Sequence, residues 1–138
     1  VNFFIKIMAR KELKMDDVGI ETIEINGIEY VKKTDTLQHA ELLDGMQYVL
    51  VRTYSAGVHV GYLKDRKGKE VKLLHAIRIH YWDGAASLSQ LAVDGVSKPQ
   101  NCRFSVAVPS IELTEAIEII PCTAKAQKNI KEVPSWKI

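Results

Sequence analysis

Cysteine is scarce in this chain: Cys102 and Cys122 are the two among 138 residues, and neither has a partner at C-x-x-C spacing. Zinc ribbons and dithiol redox sites both need that spacing, so both classes are excluded. Each cysteine stands in an apolar stretch, and two buried thiols in a reducing compartment are expected. An excess of one charge is lacking too. Lys and Arg number 19 against 17 Asp and Glu, a formal net charge of +2, which does not favour a nucleic-acid binder driven by bulk electrostatics. No run approaches the ~18 consecutive apolar residues of a membrane span. The apolar stretch Val1–Met8 has neither the basic flank nor the cleavage site of a secretory leader. The expected protein is neither membrane-bound nor secreted. With 46% apolar and 26% charged residues, the chain has an ordinary globular composition and enough length to bury a core without staples. A single domain over residues 1–138 is expected, with residues 1–20 a less ordered N-terminal arm.

What is present is strand pattern with two helical stretches. Thr22–Val31 alternates apolar and polar residues around Asn26-Gly27, a pair that tolerates the positive φ of a type I′ hairpin turn. Thr36 to Gly45 reads as a short helix with Gly45 as its stop. Tyr48–Thr53, Val58–Leu63 and the long Val71–Trp82 are separated by the short turns Ser55–Gly57 and Asp65–Lys69, which predicts three consecutive antiparallel strands, the last long enough to bend midway. Asp83 to Gly95 is the strongest helical stretch: Leu88, Leu91 and Ala92 follow i, i+3, i+4 spacing, with Asp83 as cap and Gly95 at its end. Phe104, Val106 and Val108 predict a strand ended by Pro109, and Ala116–Ile120 another ended by Pro121. A C-terminal helix over Thr123–Glu132 turns Ala126 and Ile130 inward and Lys125, Lys128 and Lys131 outward. The fold class is α+β: a mainly antiparallel sheet of five to seven strands with a packed central helix and a C-terminal helix.

Catalytic patterns are missing. Four histidines invite a metal reading, but His39 and His59 lack ligands at metal spacing, and His75 and His80, five apart in a strand, point to opposite faces. Tyr54-Ser55-Ala56-Gly57 is not a nucleophile elbow. Glu24 and Glu29 flank a turn as solubility residues, and neither a Walker A nor a G-x-G-x-x-G motif occurs. No catalytic residue, metal or cofactor is assigned, and the chain is read as non-enzymatic. The suggestive stretch is Tyr81-Trp82-Asp83-Gly84-Ala85-Ala86-Ser87, two aromatics just before a helix start crowded with small residues. A helix N-terminus offers unpaired N–H groups to an anion. Phosphate would sit at Gly84, Ala85, Ala86 and Ser87, a base would stack on Trp82 or Tyr81, and Arg52, Arg78, Arg103 and Asn101 would add charge and hydrogen bonds. Close packing of helix on sheet, with Trp82 in the core, is the structural alternative. The cationic turn Lys64–Lys69 lacks the interleaved aromatics of a single-strand binder.

Tyr48–Val58, Tyr81–Ala92 and Leu113–Thr123 together resemble a widespread group of small phage and prophage proteins, a domain of unknown function. The resemblance covers roughly residues 46–137 and leaves residues 1–45 outside. It implies a phage-encoded protein working in the host cytoplasm, and it implies no reaction. By analogy with the lifestyle of such proteins, the leading expectation is a sponge that sequesters a cyclic nucleotide immune signal, an anti-defence role. The alternatives are a protein-interaction module that inhibits a host protein, and a small virion or decoration component. Sheet edges in so short a chain need protection, so a homo-oligomer is expected.

Overall fold

The computed structural model describes residues 22–31 and 37–138. The N-terminal arm expected over residues 1–20 lies outside them, as does Thr36, where a helix was expected to start. Two compact units divide the chain, Val1–Gln38 and His39–Ile138. In the first, β1 (Thr22–Ile25) and β2 (Ile28–Val31) pair antiparallel. Asn26 and Gly27 turn between them at φ of 55° and 78°, the two positive values of a type I′ hairpin turn.

The second unit carries β3 (Tyr48–Thr53), β4 (Val58–Lys67), β5 (Glu70–Tyr81), α1 (Leu88–Asp94), β6 (Arg103–Phe104), β7 (Val108–Leu113), β8 (Ala116–Pro121) and α2 (Ala124–Glu132). It is the expected α+β arrangement. The expected meander β3–β4–β5 is antiparallel throughout, with β8 beside β3 and both β6 and β7 beside β5. β7 and β8 thus lie on opposite margins of the sheet, yet only Thr114 and Glu115 join them. Laid flat, the four strand spacings between them would span about 19 Å. The three Cα steps from Leu113 to Ala116 reach about 11 Å at most. The sheet has to roll up, and two bonds hold it so: Ala116 N donates to Lys69 O at 3.0 Å and Tyr54 N to Glu115 O at 2.9 Å.

Rolling gives the sheet two unlike faces. Val49, Val51, Val71, Leu73, Ala76, Leu113 and Ala116 pack together inside the curl. On the outer face Tyr48, Leu50, Val60, Ile79 and Phe104 pack against Leu91 and Ala92 of α1 and Ala126 and Ile130 of α2. Burying each aliphatic side chain contributes roughly 1.5–3 kcal/mol. The C-terminal helix is as expected, capped by Thr123 with Ala126 and Ile130 buried. Cys102 and Cys122 are both free thiols, the second buried as expected and the first only partly so.

Three expectations need correction. Residues 37–45 form no helix: Leu43 and Met46 exchange backbone bonds of 3.0 and 2.8 Å around Asp44 and Gly45, whose φ values are 50° and 81°. Asp-Gly acts here as a hairpin turn and not as a helix stop. The central helix begins at Leu88, not after Asp83, because Ser87 is its cap and accepts from Gln90 N. Finally, the strand through Phe104 breaks at Ser105, and β7 runs through Pro109 instead of ending there. β7 is a margin strand, so the N–H that Pro109 lacks is not needed by a neighbour.

Candidate functional site

A cleft opens on the concave face where β5 parts from β7 and pairs instead with β6. A bulge decides what lines it. Between Leu74↔Tyr62 and Ile77↔Val60 the register slips by one, and His75 takes φ 51°. Gly61 lies opposite, where a Cβ would meet Leu74 O at 2.9 Å and Ala76 Cα at 3.2 Å. Before the bulge Val71 and Leu73 face inward; after it Ala76, Arg78 and His80 do. Strict alternation would have put Arg78 and His80 on the helix-bearing side.

The cleft, about 240 Å³, is lined by His59, Ala76, Arg78, His80, Ser105, Val106, Val108 and Ile111. No carboxylate is among them. Ser105 anchors Arg78 through the backbone, donating N–H to Arg78 O at 2.9 Å and accepting Arg78 N–H on its hydroxyl at 2.9 Å. His59 is fully buried, and its Nε2 accepts from Arg78 Nε at 3.0 Å. That bond requires a lone pair on Nε2, so the proton of neutral His59 sits on Nδ1, which is buried without a partner among the described residues. Burial, and then the neighbouring Arg78 and His80, hold His59 down at about 4. The imidazole is therefore neutral at pH 7 and steers the guanidinium, leaving its remaining N–H donors for the cleft. At the near end, Trp136 brings the C-terminal segment beside β6, its N–H donating to Phe104 O at 2.8 Å. His80 meets the Trp136 ring edge-on with centroids 5.4 Å apart, and the Arg103 guanidinium lies 5.3 Å from the ring centroid. A row of cation, imidazole, indole and cation borders an apolar floor.

The residues singled out from sequence fall into three places. Arg78 lines the cleft, and Arg103, paired with Tyr81 in the β5–β6 ladder, stands at its end. Trp82, Gly84, Ala85, Ala86, Ser87 and Asn101 gather just beyond, where many of their polar groups are occupied within the chain. Trp82 packs on the outer-face core, and its indole N–H donates to Ala85 O at 3.2 Å. Gln90 Oε1 accepts from Ala86 N at 2.7 Å, and Asn101 donates to Asp83 at 2.9 Å. Gly84 adopts φ 101°, and a Cβ there would lie 2.5 Å from Ser97 N, so the glycine serves a close backbone crossing. Arg52 is not brought to the others. It pairs with Glu118 at 2.9 Å on the outer face, since Val51, not Arg52, is in register with His59 and Arg78.

His59, His80, Ser105 and Trp136 were missed as site residues. Alternation in Val58-His59-Val60 could have flagged a histidine facing inward, but nothing local announces the bulge or the return of Trp136 to β6. Among the described residues no three His, Cys, Asp or Glu side chains gather as metal ligands would, and no helix is long and apolar enough to cross a membrane.

Residues 46–130 match the model of a family described as Domain of unknown function (DUF6948). The chain belongs to that family. No curated protein and no solved structure matches it.

Proposed function

We propose that this member of the family is a non-enzymatic, phage-encoded binding protein that takes a phosphate-bearing small molecule, a cyclic nucleotide immune signal above all, in the β5–β6–β7 cleft. The observation that carries the reading is the acid-free row of Arg78, His80, Trp136 and Arg103. Guanidinium donors suit phosphate oxygens, and an exposed indole offers a base a stacking face. The base-stacking role expected of Trp82 passes to Trp136, which is 53% exposed. A cleft of about 240 Å³ is small beside the roughly 300–1,000 Å³ of sites for drug-sized ligands. A di- or trinucleotide therefore needs a second copy of the cleft, so the reading of a sponge in the host cytoplasm requires a homo-oligomer.

A thermal-shift screen against cyclic di- and trinucleotides, with light scattering on the same samples, tests this. A ligand at ~100 times its Kd adds roughly 2.7 kcal/mol. Arg78→Met should abolish the shift. If no nucleotide stabilises the parent protein, or Arg78→Met binds as well as the parent, the reading fails. A second reading then takes its place, because Val106, Val108 and Trp136 are exposed apolar side chains around the same cleft: a protein-interaction surface, for inhibition of a host protein.

A further inference from the structure

A second cavity, about 490 Å³, lies on the outer face of the sheet beside α2, adjoining the cleft at Ser105, which lines both. Its walls are largely apolar, with Leu43, Ile77, Phe104 and Ile130 among them. Its polar side chains are Tyr48, Tyr62, His75, Ser105, Lys131 and Ser135, of which Lys131 alone is a cation. Tyr48 is 2% exposed, and its hydroxyl is buried without a partner among the described residues. Tyr62 Oη accepts from Gln127 Nε2 at 2.9 Å and from Lys131 Nζ at 2.8 Å, which occupies its lone pairs and leaves its own O–H without an acceptor. The Lys131 ammonium also lies 5.4 and 5.0 Å from the centroids of the Tyr48 and Tyr62 rings, and Tyr62 stands edge-on to Tyr48 at 5.0 Å. Among the described residues no carboxylate lines the cavity.

An unpaired buried hydroxyl costs free energy, and the exposed Lys131 sets a positive charge beside it. Adding an acceptor that carries negative charge would complete all three groups at once. The apolar walls demand that the rest of the molecule be apolar. We propose that this cavity is a binding site for an amphipathic carboxylate, with the carboxylate toward Lys131 and the two tyrosine hydroxyls and the hydrocarbon body along Ile77, Phe104 and Ile130. The inference does not rest on the function proposed for the cleft, although Ser105 lines both cavities.

The test is a calorimetric titration of the full chain with decanoate and with 1-naphthoate, using decanol as the uncharged control. At least one carboxylate should bind, and decanol should bind at least tenfold more weakly than decanoate. Tyr48→Phe and Lys131→Met should each weaken the carboxylate about tenfold. Tyr48→Phe should leave the melting temperature unchanged or raise it, because it removes a hydroxyl that has no partner in the free protein. The proposal is overturned if neither carboxylate binds, if decanol matches decanoate, or if both variants bind as the parent does. A Tyr48→Phe variant that melts lower and binds normally would give the hydroxyl a structural role and overturn its part in the site.

Discussion

The Gly84–Ser87 junction and the His59–Arg78 cleft are neighbours in space and opposites in chemistry. At the junction the backbone crossing, the cap and the indole answer one another: Ser97 N and its hydroxyl both reach Gly84 O, Gln90 answers Ala86, and Ala85 O answers Trp82. In the cleft the arithmetic fails to close. The exposed Arg78 turns its remaining donors to solvent, and the buried His59 Nδ1 has no partner among the described residues. Small residues before a helix look alike from sequence whether they admit a ligand or a neighbouring strand of chain. One buried unanswered donor, His59 Nδ1, separates the two cases, since native structures pair nearly all their buried polar groups and the exceptions call for a reason.

The sharpest way to break the comparison is Gly84→Val. A side chain there meets the Ser97 and Lys98 backbone and forces a β-branched residue into positive φ, so overpacking and strain together should cost about 3–5 kcal/mol in a denaturant melt. A loss under ~1 kcal/mol would mean the junction has room for a ligand after all. Next comes the pH dependence of His59. Its folded value, about 4, lies below the ordinary 6.5, so between those two values the unfolded chain binds a proton that the folded chain refuses. Stability from this group is complete above pH ~6.5 and falls as pH drops toward 4, by up to about 3 kcal/mol. Comparing His59→Gln with the parent across pH 7 to 4 isolates it. The variant should lose distinctly less, and identical slopes would show that His59 titrates normally. The smallest effect belongs to the cap: Ser87→Ala should lower stability by about 1 kcal/mol. An unchanged melt would remove Ser87 from the helix start and reopen the junction to a ligand.

Local chemistry made much of the fold legible. Asn26-Gly27 announced its hairpin, the short connections announced the β3–β4–β5 meander, and Ala126 and Ile130 announced the buried side of α2, because each signal involves residues a few positions apart. Leu37–Gly45 misled for the same reason: Asp44-Gly45 suits a turn and a helix end equally, and the bond from Ala40 N to Cys122 O at 3.1 Å, which favours the extended form, comes from far along the chain. Composition and pattern by themselves determined an α+β domain, its helices' inward faces and the small residues at Gly84–Ser87. Only the tertiary structure decided that the sheet rolls, that one extra residue at His75 turns Arg78 and His80 inward, that Arg52 is left on the other face, and that Trp136 returns to stand between His80 and Arg103. Those outcomes depend on register and on contacts between distant segments, where a slip of one residue exchanges the two faces of a strand.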